Sequence, residues 1–245
     1  MIYSDQYETR WHDTDAARRV RPSQLLVYMQ ETSNHHTASA GMNLDELRDE
    51  KQLAFILSRL RLWIHRPLRA FEPIEVQTFT NPAKGLSSLR SFRILRGDEV
   101  IAEADSVWAL IGTEDRRFHP IEDTGYEFED EAPLSLPMPP RVRIPSDLPL
   151  KNLGSRRIVY SDLDYNMHMN NTRYPDMLCD FLPLEEVSNL RGLSLSYLHE
   201  AAYGDTITVL GAKREGCYYI RTVNSEGTIC LEAQLWVMPG EEPIS

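Results

Sequence analysis

The sequence predicts an α+β protein that contains two copies of one unit, a helix followed by an antiparallel sheet. In each half, apolar residues first recur at helical spacing and then at every second position over several short segments. The two halves can also be overlaid along their length, so that helix falls on helix and strand on strand. Helices and strands that are grouped rather than alternating are typical of an α+β fold.

The first half begins with a weakly alternating strand over residues 3–10. A helix of about 18 residues is predicted next, because Pro22 suits the first turn of a helix, Ser23 is a good cap and Gly41 is a good stop. The residues at helical spacing, which should face the core, are Leu25, Leu26, Met29 and Thr32. A short second helix is predicted over residues 44–50.

The period then changes to two, which predicts strands over residues 55–64, 74–79, 89–95 and 100–111. Residues 1–125 are therefore predicted to form the first domain. Residues 126–150 are acidic and then contain six prolines. Because proline cannot donate a backbone hydrogen bond within a sheet, this segment is predicted to be an extended connector.

Residues 151–245 are predicted to form the second domain. A strand over residues 156–160 precedes a helix over residues 172–182, for which Asn170 or Asn171 is the cap. Alternation then predicts a second set of strands over residues 193–199, 207–211, 218–224 and 228–238.

The overlay of the halves separates their chemistry. Residues 11–15 (WHDTD) fall on residues 160–164 (YSDLD). Polar residues of the second half fall on unlike residues of the first half in the pairs Asn166 and Ala17, His168 and Arg19, and Glu200 and Pro67. We therefore expect any catalysis in the second half, with the first half completing the core and shaping a pocket.

Residues 160–174 (YSDLDYNMHMNNTRY) concentrate the polar groups. Asp164, Asn166 and His168 fall on every second position, with apolar residues between them. If the run is extended, alternation places the acid, the amide and the imidazole on one face, which predicts an active site. The structural alternative is a polar turn that precedes a capped helix.

Composition limits the other functions. The chain has 245 residues, is 42% hydrophobic and has a net charge of −11, which argues against binding to nucleic acid or to an anionic membrane. The three cysteines are scattered without a CxxC pair, which is typical of a reducing compartment. Neither a signal segment nor an apolar run of about 20 residues is present, so we expect a cytoplasmic protein.

The run DLDYNMHMNNTRY (162–174) resembles the DxDxNxHxNNxxY signature of acyl-acyl-carrier-protein thioesterases. The opening RWHDTDAARRVRPSQLLVYMQETSNHH (10–36) is similar to the first strand and helix of that family. The resemblance covers about residues 3–238 and implies a tandem hotdog fold, in which a long helix is wrapped by an antiparallel sheet twice in one chain. Many plant members have a cysteine where this chain has Ala201. The sequence shows no transit segment, and in this respect it is more similar to the bacterial members of the family than to the plastid members.

The resemblance implies an enzyme that hydrolyses fatty acyl thioesters on acyl carrier protein, without a cofactor or a metal. The family's catalytic residues correspond to Asp164, Asn166, His168 and Glu200. Glu200 or Asp164 would activate water or attack the carbonyl directly, and Asn166 and His168 would position the water, the oxyanion or the proton. The backbone N–H groups after Asn170 are expected to be further oxyanion donors.

The expected partner is acyl carrier protein with a fatty acyl group, and a homodimer of the chain stays an open alternative. Since that carrier is acidic, docking would need local arginines. The candidate docking residues are Arg18, Arg19, Arg21, Arg59, Arg61, Arg66, Arg69, Arg141, Arg143, Arg156 and Arg157. The candidate residues around the acyl chain are Leu25, Leu26, Met29, Phe55, Ile56, Leu57 and Trp63. Two alternatives remain: an acyl-CoA thioesterase or hydratase/dehydratase of the same fold, and a non-catalytic acyl-binding protein.

Overall fold

The computed structural model describes residues 2–81, 85–125 and 139–238. The elements of the first half are β1 (Tyr3–Glu8), α1 (Pro22–Ser39), α2 (Leu44–Asp49), β2 (Leu53–Ile64), β3 (Pro73–Thr80), β4 (Ser87–Arg96), β5 (Glu99–Gly112) and β6 (Phe118–His119). Those of the second half are β7 (Lys151–Arg157), α3 (Tyr174–Cys179), α4 (Leu184–Val187), β8 (Leu190–Tyr197), β9 (Thr206–Arg214), β10 (Cys217–Val223) and β11 (Ile229–Val237).

In this part of the chain, 11 strands form one antiparallel sheet in the order β1-β3-β4-β5-β2-β8-β11-β10-β9-β7, and β6 pairs with β5. The halves meet where β2 pairs with β8, from Arg59 opposite Ser196 to Trp63 opposite Gly192. Read outward from this junction, the two halves have the same strand order. The two copies therefore form one continuous sheet related by an approximate two-fold axis.

Helix α1 confirms the predicted first helix. Pro22 occupies its first turn, it contains 18 residues, and Leu25, Leu26, Met29 and Thr32 are all buried. The helix packs against β1 and β3. Full burial of each such leucine or methionine contributes about 1.5–3 kcal/mol, so this face stabilises the first half strongly.

The second helix is shorter than the prediction for residues 172–182. A 3-10 turn at Asn171–Arg173 leads into α3, which has only 6 residues. Pro183 disfavours a helical conformation for the residue before it, and the N–H of Leu182 donates to the oxygen of Cys179 in a tight turn. The strand predicted over residues 156–160 also differs, since β7 ends at Arg157 and a 3-10 turn follows at Tyr160–Asp162.

The backbone hydrogen bonds reproduce the overlay of the halves. In the first half, the N–H of Val20 donates to the oxygen of Leu68 at 2.8 Å. In the second half, the N–H of Met169 donates to the oxygen of Ala201 at 2.9 Å. These residues correspond in the sequence overlay, so the duplication extends to the contacts that place one loop beside another.

Residues 126–138 of the predicted connector lie outside the described residues. Its later part follows the junction of the halves, where the Arg59 guanidinium donates to the oxygen of Pro139 and the N–H of Val142 donates to the Ser196 hydroxyl at 2.9 Å. Val142 is buried there. Among the helices described here, none is long and apolar enough to span a membrane.

Candidate active site

The polar run is a tight turn, and the prediction of an extended segment was wrong. The N–H of Asp164 donates to the oxygen of His168 at 2.9 Å, and Met167 has a φ of 65°. Oδ1 of Asp164 accepts the backbone N–H groups of Asn166 at 2.8 Å and of His168 at 3.4 Å. An aspartate that accepts N–H groups a few residues ahead stabilises a turn, and this outweighs the alternating pattern. Two apolar residues of the run, Tyr165 and Met167, consequently lie exposed, whereas Met169 is buried.

The first half contains the same turn. The N–H of Asp15 donates to the oxygen of Arg19 at 2.8 Å, and Arg18 has a φ of 58°. Oδ1 of Asp15 accepts the N–H groups of Ala17 at 2.8 Å and of Arg19 at 3.0 Å. The aspartate therefore belongs to a backbone scaffold shared by both copies, and the difference between them lies in the side chains that the turn presents.

In the second half, the turn lies beside the loop that contains Glu200. His168 forms an isolated bridge with Ala202, and the N–H of Tyr203 donates to the oxygen of Met167 at 3.1 Å. These contacts place Nε2 of His168 3.6 Å from Oε2 of Glu200, with the two side chains 29% and 40% exposed. The structure thus brings together the histidine and the glutamate, which are far apart in the sequence.

Two cavities adjoin at the polar turn, and one of them reaches the histidine–glutamate pair. The smaller, of about 160 Å³, is lined by His168 and Glu200 together with Phe55, Ile56 and Leu57 of β2. The larger, of about 390 Å³, lies between α1, α2 and β4 of the first half and the polar turn. Both cavities are lined by Phe55, Asp164, Asn166 and Asn171. Asp164 and Asn166 therefore stand where the two cavities adjoin.

Of the residues predicted to surround the acyl chain, Phe55, Ile56 and Leu57 line a cavity beside the polar turn, and the others do not. Leu25 belongs to the packed core, and the Trp63 ring lies 4.8 Å from the Trp236 ring at the junction of the halves. Leu26 and Met29 line a void of about 10 Å³, too small for an acyl chain. These side chains are apolar because they fill the core, which the sequence pattern does not distinguish from a ligand cavity.

Sequence reasoning missed Arg90, which lines the larger cavity, and its contact with His36 of α1. The buried Arg90 donates to Nδ1 of His36 at 3.0 Å and to the Thr78 hydroxyl at 3.2 Å. Burial lowers the pKa of Arg90 to about 10. Burial, and then the charge of Arg90, lowers the pKa of His36 to about 4, so this imidazole is neutral at pH 7. No sequence signal pairs His36 with a strand residue 54 positions away.

The three cysteines are poorly suited to nucleophilic catalysis. Burial raises the pKa of Cys179 to about 12 and those of Cys217 and Cys230 to about 11. A thiol with such a pKa is almost entirely protonated at neutral pH, whereas the thiolate is the nucleophile. Ala201, next to Glu200, is fully buried and supplies no thiol.

Two of the predicted oxyanion donors, which lie just before α3, already have acceptors. Asn170 caps the 3-10 turn at Asn171–Arg173 and not α3, whose cap is Arg173, and the Asn170 side-chain oxygen accepts the N–H of Thr172 at 2.9 Å. The N–H of Arg173 donates to the Asn170 carbonyl at 2.9 Å. These two donors are occupied within the turn, so the prediction fails for them.

Comparisons with known proteins agree with this arrangement. Family models described as the acyl-ACP thioesterase N-terminal domain and C-terminal domain match residues 1–128 and 151–236. An oleoyl-acyl carrier protein thioesterase of Coriandrum sativum is 23% identical over 232 residues, which is 86% of this chain and 62% of that relative. An acyl-[acyl-carrier-protein] hydrolase of Cuphea viscosissima is 23% identical over 86% of this chain and 55% of its own length. The chain thus spans only about three fifths of the length of these relatives.

Solved structures show the same fold. The acyl-ACP thioesterase of Bacteroides thetaiotaomicron superposes with a TM-score of 0.87 at 21% identity, covering 97% of this chain and 98% of that one. The 12:0-ACP thioesterase of Umbellularia californica superposes with a TM-score of 0.80 at 16% identity, covering 98% of each chain.

The single sheet, its two equivalent halves and these superpositions define a tandem hotdog protein, which confirms the predicted fold class. Because the two family models together match most of its length, the chain belongs to the acyl-ACP thioesterase family.

Proposed function

We propose that this chain hydrolyses fatty acyl thioesters of acyl carrier protein and releases the free fatty acid. The observation that carries the proposal is the pair of His168 and Glu200, 3.6 Å apart beside a cavity, in a chain of this family. The same positions in the first half are Arg19 and Pro67, which cannot form such a pair. We therefore assign the chemistry to residues 151–245 and the larger cavity mainly to residues 1–125, with residues 126–150 as the connector.

Each residue has a role that its position supports. Glu200 accepts a proton from water as the water oxygen bonds to the thioester carbonyl carbon. His168 orients the carboxylate and passes this proton from Glu200 to the thiolate sulfur as the carbon–sulfur bond breaks. The side chain of Asn166 lines both cavities and can donate to the oxyanion. Asp164 holds the turn that positions Asn166 and His168. Direct attack by Glu200, through a transient anhydride, uses the same residues and is the open alternative.

The carrier protein is proposed to dock through arginines at the surface. Arg21 is already paired with Asp176 of the second half at 3.2 Å, and the Arg156 guanidinium is paired with Asp162. Arg18, Arg141 and Arg143 of the predicted set are exposed. An acidic carrier would gain association rate and orientation from such charges.

Product analysis with acyl-carrier-protein thioesters of graded chain length tests the proposal. We expect free fatty acid and free carrier thiol in equal amounts, with a maximum at one range of chain length. The matched acyl-CoA substrates should turn over more slowly, because they lack the acidic carrier surface. An enoyl product, faster turnover of the CoA series, or tight binding without turnover would contradict the proposal in favour of one of the alternatives.

A further inference from the structure

The first half also contacts the candidate catalytic carboxylate. Nη2 of Arg116 donates to Oε2 of Glu200 at 2.5 Å, across 84 residues of sequence. The same oxygen lies 3.6 Å from Nε2 of His168. One carboxylate oxygen of the second half is thus approached by a histidine of its own half and by an arginine of the other half.

The turn that presents Arg116 is well tethered. It joins β5 to β6, and the N–H of Arg116 donates to the oxygen of Gly112 at 3.1 Å. The N–H of Thr113 donates to the oxygen of Gln52 at 2.8 Å. A side chain at Gly112 would meet Oδ1 of Asp115 at 2.0 Å, so glycine permits the close packing of this turn. The backbone of Arg116 is therefore held in place relative to the sheet.

We propose that Arg116 is a positioning residue that holds the Glu200 carboxylate beside His168, an inference that rests on the proposed function. A glutamate side chain that is 40% exposed can rotate into solvent, where its carboxylate is solvated and distant from the imidazole. A guanidinium is permanently charged and fixes a carboxylate by a charge-assisted hydrogen bond. In this arrangement the first half completes the active site of the second.

The solvent exposure of Arg116 and Glu200 distinguishes a role in positioning the carboxylate from a role in stabilising the fold. Arg116 is 57% exposed and Glu200 is 40% exposed. An ion pair that is accessible to water adds little to folding stability, because both charges are well solvated without it. Loss of Arg116 should therefore alter turnover and leave thermal unfolding almost unchanged.

The test compares Arg116→Gln with Arg116→Lys and with the neighbouring Arg117→Gln, in the full chain with acyl-carrier-protein thioesters. We expect Arg116→Gln to lower kcat by about 10–100-fold with KM changed less than about threefold, since misplacement of a catalytic group by about 1 Å can cost 10²-fold. Arg116→Lys keeps the charge and should recover part of the loss. Arg117→Gln removes an exposed arginine next in sequence and should leave kcat unchanged.

A double variant shows whether Arg116 acts through Glu200. In a Glu200→Gln background, Arg116→Gln should lower kcat by less than twofold, because the carboxylate it positions is gone. The inference would be overturned, with the proposed function left intact, by an undiminished kcat in Arg116→Gln or by an effect on KM alone. It would also be overturned if the decrease in kcat of the double variant equalled the product of the decreases in the two single variants. A wild-type chain without turnover would overturn the proposed function and this inference with it.

Discussion

The two equivalent aspartates offer an internal comparison between scaffold and chemistry. Asp164→Ala and Asp15→Ala each remove a half-buried carboxylate that accepts two backbone N–H groups in the same turn, at 2.8 and 3.4 Å in the second half and 2.8 and 3.0 Å in the first. At about 1 kcal/mol for each hydrogen bond, both variants should lose about 2 kcal/mol of unfolding free energy. For a chain of this size that corresponds to a fall in Tm of about 4–8 °C.

Turnover should separate the two variants. Asp164→Ala releases the backbone of Asn166 and His168 and should lower kcat on the order of 10²-fold. Asp15→Ala should leave kcat within about twofold. Asp164→Asn keeps an acceptor oxygen for the turn and should retain kcat within about tenfold. The assay is free-fatty-acid release at 25 °C, with thermal unfolding followed by circular dichroism. Equal losses of kcat in the two alanine variants, or an unchanged kcat in Asp164→Ala, would show that the turn of the second half does not position catalytic groups.

The packing of Gly192 against Trp63, the ionisation of His36 and the burial of the three cysteines each have a measurable consequence. Gly192→Ala would place a Cβ 2.3 Å from the Trp63 ring and should cost about 1–3 kcal/mol in urea unfolding, but less in a Trp63→Leu background; equal costs would count against the clash. His36 has its pKa lowered to about 4 from an ordinary 6.5, so the unfolded chain takes up this proton first as the pH falls. The contribution of His36 to the free energy of unfolding is therefore fully present above pH 6.5. It should fall by about 1–2 kcal/mol between pH 6.5 and 4, after allowance for the partial exposure of the imidazole, and His36→Gln should remove this pH dependence. Replacing all three cysteines by alanine should leave kcat within about threefold, whereas a loss above tenfold would implicate a thiol.

The periodicities of the sequence were sufficient to predict most of the fold. Helical spacing of core-facing residues located α1, because such spacing is typical of a helix that buries one face. These residues are Leu25, Leu26, Met29 and Thr32. Alternation located β2 to β5 and β8 to β11 within a few residues. The second helix was overestimated, because the break before Pro183 depends on tertiary packing as well as on the local sequence.

The motif was sufficient to propose the residues of the site, but it did not predict their geometry. A polar residue at every second position suits a strand and also a turn closed by an aspartate. The bridge of Leu163 to Met169 and the positive φ of Met167 identify the turn. The ion pair of Arg116 with Glu200 depends on the register of a two-residue strand, β6, against β5. Contacts of this kind join distant segments and leave no periodic signal in the sequence.

The double variant His168→Ala/Glu200→Gln, assayed for fatty-acid release at saturating acyl carrier protein thioester, shows whether the second half performs the chemistry. The account predicts a folded protein whose kcat falls by at least 10²–10³-fold, while the double variant of the equivalent first-half positions, Arg19→Ala/Pro67→Ala, stays within about threefold of wild type. A folded His168→Ala/Glu200→Gln protein that releases fatty acid at the wild-type rate would show that the chemistry lies elsewhere in the chain.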